Sequence, residues 1–279
     1  MKRNFLLAVA VIFGTAVYGQ AYVSVSGGYG FEAHKKKIGE QVALTGVASD
    51  LEGSFGVGFQ TQLRGGYFFN KRLGAELAVG YLHGKSTTTS KTPVSESISK
   101  SNVFGASLSA VFNVTENIYL RVGGVTKVGG SSKISTDIDL TPFSMPAKAS
   151  VTSKTSGKMP FGFIGGLGYK FKLTEKLSFF VEGEYININV APDKLKLDNF
   201  NGTFGEKNVS SKEFLGNVNT TIERLSGSPS PEHKALVEKA KPLVTKLSTL
   251  LQEDEVSVAN QDKSPYSSLG FNFGLIFHF

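Results

Sequence analysis

The chain has 279 residues, enough for one large or two ordinary domains, with 30 Lys and Arg against 23 Asp and Glu and a net charge of +7. It contains no Cys and no Trp. That excludes a disulfide framework, thiolate metal sites, a Cys nucleophile and the cysteine of a bacterial lipid anchor. Residues 1–19 read as a secretory signal: Lys2 and Arg3, then FLLAVAVIFGTAV, then small residues up to Gly19. The mature chain is expected to start at Gln20, with cleavage after Ala21 as the alternative. Losing Lys2 and Arg3 lowers the net charge by two, to +5, a modest surplus spread through loop segments, so no nucleic-acid partner is expected. No later stretch is long and apolar enough for a membrane helix.

Strict apolar/polar alternation begins at AYVSVSGGYGF (21–31) and returns at 55–69, 73–83, 102–114, 118–128, 160–173, 177–190 and 266–279. Such alternation marks strands with two different faces, and runs of this length exceed the usual strand of about 5–6 residues. Three connections are short: Asn70-Lys71-Arg72, Thr115-Glu116-Asn117 and Thr174-Glu175-Lys176. The other four, 32–54, 84–101, 129–159 and 191–265, are long and polar. Within the presumed span the apolar face carries no Asp, Glu, Lys or Arg, while the other face holds Arg64, Glu76, Arg121, Lys127, Lys170, Lys172, Glu182 and Glu184. A bilayer enforces that segregation, because Arg or Lys in mid-membrane costs about 2–4 kcal/mol. Outward aromatics form two bands, one near the short turns (Tyr67, Phe69, Phe112, Tyr169, Phe171, Phe179, Phe277, Phe279). The other lies near the long loops (Tyr29, Phe31, Phe55, Tyr81, Phe104, Phe161, Tyr185, Tyr266). A secreted β-sandwich would alternate too, but with shorter strands and no asymmetry of connections. The expected fold is an all-β membrane barrel, an eight-stranded antiparallel up-and-down β-barrel over 20–279 with both ends of the chain at the short-turn, periplasmic side.

These features resemble the small outer-membrane barrels of Gram-negative bacteria, the OmpA-type transmembrane domain and the opacity-type surface proteins. The resemblance covers roughly 21–190 and 266–279. It implies a bacterial outer-membrane location with cell-surface loops. It also implies that the terminal Phe273, Leu275, Phe277 and Phe279 serve as the signal read by the barrel assembly machinery. No peptidoglycan-binding domain follows, so a cell-wall tether is not implied.

An eight-stranded lumen is narrow enough for side chains to fill. Counted from the short turns, Arg64, Glu76, Arg121 and Glu182 fall at similar depth, so the two arginines are expected to pair with Glu76 and Glu182. Glu184, Lys170 and Lys127 are expected to extend that network. The four histidines, His34, His83, His233 and His278, lie in separate regions with no assembled nucleophile or acid–base set. Catalysis, a cofactor and a metal are therefore not expected. GFIGGLG (162–168) lies inside a strand and opens no helix, so its glycines read as room within the barrel rather than a phosphate loop.

The long segment 191–265 carries helix signals. Ser210 with Glu213 forms a capping box before the stripe Phe214, Leu215, Val218, Ile222, Leu225, predicting a helix over 210–225. Ser230-Pro231 opens a second, over 231–252, with Leu236, Ala240, Leu243, Leu247 and Leu250 on one face and Pro242 placed to kink or divide it. The two apolar faces are expected to pack on each other and on the barrel rim, and the Ser/Thr/Lys-rich second and third loops to be mobile strand extensions. The expected function is surface display: a monomeric, structural or adhesin-like protein whose loops meet an extracellular or host ligand and whose barrel meets outer-membrane lipid. The rival is a small porin or carrier for small or hydrophobic solutes.

Overall fold

The computed structural model describes residues 21–43, 47–228, 230–252, 255–257 and 263–279. The expected signal peptide and Gln20 lie outside the described residues.

Eight strands form the barrel: β1 (Ala21–Glu32), β2 (Gly58–Phe68), β3 (Leu73–Gly84), β4 (Ser95–Asn113), β5 (Ile118–Asp139), β6 (Phe161–Lys172), β7 (Leu177–Asn187) and β8 (Ser268–His278). Each is antiparallel to its successor. β8 closes on β1 in a register running from Tyr22 opposite His278 to Glu32 opposite Ser268. Closure leaves no strand edge, which hydrocarbon would not tolerate. The alternation is inverted relative to a water-soluble protein. Outward Leu63, Leu108 and Val122 are 59%, 65% and 65% exposed, whereas their inward neighbours Arg64, Ser109 and Arg121 are 2%, 3% and 2% exposed. The three short turns share one local device. Asn70 Oδ1 accepts from the N–H groups of Arg72 and Leu73, Thr115 Oγ1 from those of Asn117 and Ile118, and Thr174 Oγ1 from those of Lys176 and Leu177. Such side chains mimic a turn's own backbone and fix its reversal.

At the opposite end the barrel continues into a second packed unit. β4 and β5 stay paired beyond the barrel as far as Ser95 opposite Ile138, with Val128 unpaired at a bulge where Phe104 faces Gly129 and Gly105 faces Lys127. The strand Ala147–Gly157 pairs with β5, and Pro192–Phe204 pairs with Ala147–Gly157. Helices α1 (Ser211–Ser226) and α2 (Pro231–Gln252) pack against this sheet. Their core holds Phe214, Val218, Val237 and Ala240 from the helices, Ile138, Ala147 and Val151 from the sheet, and Met145 from the turn before Ala147, each at most 9% exposed.

Several expectations change here. Loops two and three do extend the barrel strands, and they pair into a common sheet in which Ile138, Ala147, Ala149 and Val151 supply an alternating apolar face among the Ser and Thr. The helices pack on that sheet as well as on each other. The capping box forms with both of its bonds: Ser210 Oγ accepts from the Glu213 N–H at 3.3 Å, and the Glu213 carboxylate accepts from the Ser210 N–H at 2.9 Å. Pro242 does not divide α2, which runs as a single helix; the side chains of Leu236 and Leu243 lie outside the described ones. Phe55 and Tyr266 do not belong to the outward aromatic band. They are 9% and 6% exposed, with rings 5.7 Å apart. Their alternation misled because neither lies in a barrel strand: β2 begins at Gly58, whose φ of +149° breaks the run, and Phe55 N–H bonds to the Pro265 carbonyl instead.

Candidate functional site

Five charged side chains meet at one level inside the barrel: Arg64 from β2, Glu76 from β3, Arg121 from β5, and Glu182 and Glu184 from β7. Arg64 forks onto Glu182, Nη1 and Nη2 donating to Oε2 and Oε1 at 3.0 and 2.8 Å. Arg121 Nη2 donates to Glu182 Oε1 at 2.9 Å and also to Glu184 Oε2. Looser contacts link Arg121 to Glu76 at 3.5 Å and Arg64 to Glu184 at 3.7 Å. All five are at most 5% exposed. Charges so far from water persist only when paired and hydrogen-bonded, and a fork of two parallel bonds is the strong form of that pairing.

Neutral groups complete the layer, and alternation alone had not singled them out. Tyr22 and Tyr119 donate their hydroxyls to Glu76 and Glu182 at 2.8 and 2.9 Å. Gln62 Nε2 donates to both oxygens of Glu184 at 2.9 and 3.0 Å, and Gln60 Nε2 to Asn272 Oδ1 at 2.9 Å. A signal for the tyrosines does exist in the strand register. Tyr22 lies opposite Gly66 and Tyr119 opposite Gly168, and a Cβ on either glycine would stand 2.2 or 2.3 Å from the facing ring. Inward glycines make the space into which these rings fold.

Two expected members stay outside the cluster. Lys170 donates to Asn113 Oδ1 at 2.8 Å and lies 5.7 and 5.5 Å from the Phe68 and Tyr119 rings, toward the short turns. Lys127 has no hydrogen bond or ion pair among the described residues. Strand rise explains both. Lys127 stands six residues beyond Arg121 on β5, about 20 Å along the strand, and Lys170 four residues from the Gly166 that faces Arg121, about 13 Å.

Apolar clusters flank the charge layer on both sides. Toward the short turns Tyr22, Val111, Tyr119, Phe180 and Ile276 pack with Phe68, leaving a cavity of about 20 Å³. Toward the long connections Phe55, Val103, Ile188, Val190 and Tyr266 form an apolar collar, and the Tyr266 hydroxyl is held by Ser101 and Ser132 at 2.9 Å each. A cavity of about 110 Å³ lies inside the barrel below Tyr266, and a chamber of about 630 Å³ lies between the collar and the helices. Among the described residues no three His, Asp or Glu side chains gather as metal ligands. His34, His233 and His278 contact Tyr185, Ser228 and Ser178 in three separate places. No described helix is long and apolar enough to cross a membrane.

A closed ring of eight strands with an apolar exterior and a paired ionic interior is thus in place, and residues 5–207 match the family described as the outer membrane protein beta-barrel domain. The chain belongs to that family. Its place is the bacterial outer membrane. The family match ends before α1, so both helices and β8 lie beyond it. Among solved structures the chain is similar to Ail, the attachment invasion locus protein of Yersinia pestis, at 10% identity over 94% of this chain and 100% of that one, with a TM-score of 0.36. It is also similar to CarO of Acinetobacter baumannii, at 12% identity over 95% and 100%, with a TM-score of 0.34. No curated protein matches it by sequence.

Proposed function

We propose that this family member is a surface-display protein: the barrel anchors it as a monomer, and the helix-and-sheet lobe faces the cell exterior as an adhesin-like binding surface. One observation carries the reading. The lumen is filled by a paired ionic layer between two apolar ones, while the packed architecture outside the barrel is concentrated at the long-connection end. A polypeptide that worked by permeation would keep its lumen open; this one spends its lumen on packing. Phe273, Leu275 and Phe277 lie on the lipid-facing side of β8, and with Phe279 just beyond it they act in this reading as the segment recognised by the barrel assembly machinery.

Deleting 205–260 is expected to leave insertion and the mobility difference between unheated and boiled protein intact while abolishing attachment of expressing cells to their target surface. A small porin or carrier makes the opposite forecast. Steady conductance in planar bilayers that Glu76→Gln alters, with attachment unaffected by the deletion, would replace display with permeation.

A further inference from the structure

The chamber above the collar has walls of unusual chemistry. Ser97, Ser99, Ser132, Thr136, Ser153 and Thr155 line it with hydroxyls drawn from three adjacent strands. Among the described residues three lysines border it, Lys37, Lys127 and Lys263, and no Asp or Glu does. Lys37 is already engaged by Glu40 and Asp50, at 2.6 and 2.8 Å. Lys127 is not: it is half-buried at the bulge, borders both the chamber and the smaller cavity beneath, and meets no acceptor among the described residues. On the neighbouring strand, where Thr155 faces Ser132 in register, the Thr155 hydroxyl is buried without a hydrogen-bond partner among the described residues. Phe55 and Tyr266 close the floor with apolar ring surface, and Tyr266 is held in place through its hydroxyl.

An ammonium only donates, and hydroxyls both donate and accept. A molecule that satisfies this lining therefore carries one anionic acceptor for Lys127, several hydroxyls for the serine and threonine walls, and a C–H face for the aromatic floor. A volume of about 630 Å³ lies within the range of small-molecule sites, roughly 300–1,000 Å³. We infer that the chamber is a binding site for a small polyhydroxylated carboxylate, an acidic mono- or disaccharide, with its carboxylate on Lys127. One half-buried ammonium matches one carboxylate; a doubly charged phosphate would call for a second such cation, and Lys263 is exposed. The site is a blind one, since the ionic layer closes the lumen below it. This inference goes beyond surface display and stands without it, because a small ligand in the chamber requires no attachment to another surface.

Titration calorimetry on the full-length protein refolded in detergent tests it, with glucuronate, glucose and inorganic phosphate as probes. Glucuronate is expected to bind about tenfold more tightly than glucose, the worth of one charge-assisted hydrogen bond. Lys127→Met is expected to erase that preference, and Thr155→Val to weaken both sugars. Retained mobility difference between unheated and boiled samples shows that each variant is folded; if Lys127→Met does not fold, Lys127→Gln serves. No measurable binding of either sugar, equal affinity for the two, tighter binding of phosphate, or a preference that survives loss of Lys127 would each overturn the inference.

Discussion

Strand β5 passes through two environments and reverses its chemistry between them. Below Val128 it turns Arg121 inward and Val122 outward; above it, Ile138 is inward and Asp137 outward. The bulge at Val128 shifts the inward set from odd to even positions, so one strand supplies an ionic interior to the barrel and an apolar interior to the lobe. The difference teaches what decides an inside. Where lipid surrounds the wall, apolar side chains go out and charges are left to pair within; where water surrounds it, the hydrophobic effect restores the familiar order.

The comparison breaks first where each interior depends on its own kind of contact. Glu182→Ala leaves Arg64 and Arg121 without their shared carboxylate and is expected to cost about 3–5 kcal/mol, read from urea unfolding of the barrel in lipid vesicles. Phe214→Ala, at a fully buried lobe position, is expected to cost about as much, roughly 3–5 kcal/mol. It should do so locally: protease cleavage between 205 and 260 accelerates while the barrel keeps its unheated mobility. The same charge placed on the two outward faces of β5 sharpens the contrast. Val122→Arg, in lipid, is expected to lose about 2–4 kcal/mol; Ser135→Arg, in water, should stay within about 0.5 kcal/mol. The smallest effect is a pH dependence at the start of α1. Hydrogen bonds from Ser210, its N–H first and then its hydroxyl, hold the exposed Glu213 carboxyl below its ordinary value. Its contribution is complete above the unfolded value of about 4.3 and is lost as pH falls through the lower folded one. Amide exchange in the first turn of α1 should quicken over that acid range, and Glu213→Gln should remove the pH dependence.

Much of the barrel was legible because lipid leaves little freedom: alternation marked which side of each strand faces out, and Arg64, Glu76, Arg121 and Glu182 stood on the inward side. The start of α1 was legible from Ser210 and Glu213, a purely local pair. Height and register were less so. Lys127 and Lys170 share the inward face with Arg121 yet sit too far along their strands to touch its partners. The lobe's sheet was less legible because its apolar positions, Ile138, Ala147, Ala149 and Val151, are interspersed with Ser, Thr and Lys, and their shared face shows only once the strands are paired. Phe55 and Tyr266 kept the period of their neighbours, but the strand had stopped at Gly58 and Ser268.

Closure of β8 on β1 has a consequence in time. β1 acquires its second neighbour only from residues 268–278, so the ring cannot seal progressively from its first hairpin. The helices lie in the chain between β7 and β8 yet pack at the end opposite Ala21 and Phe279, whose backbones meet at 3.1 Å. In the surface-display reading, residues 192–257 cross the membrane while the wall is still open, and the last strand is the door that shuts behind them.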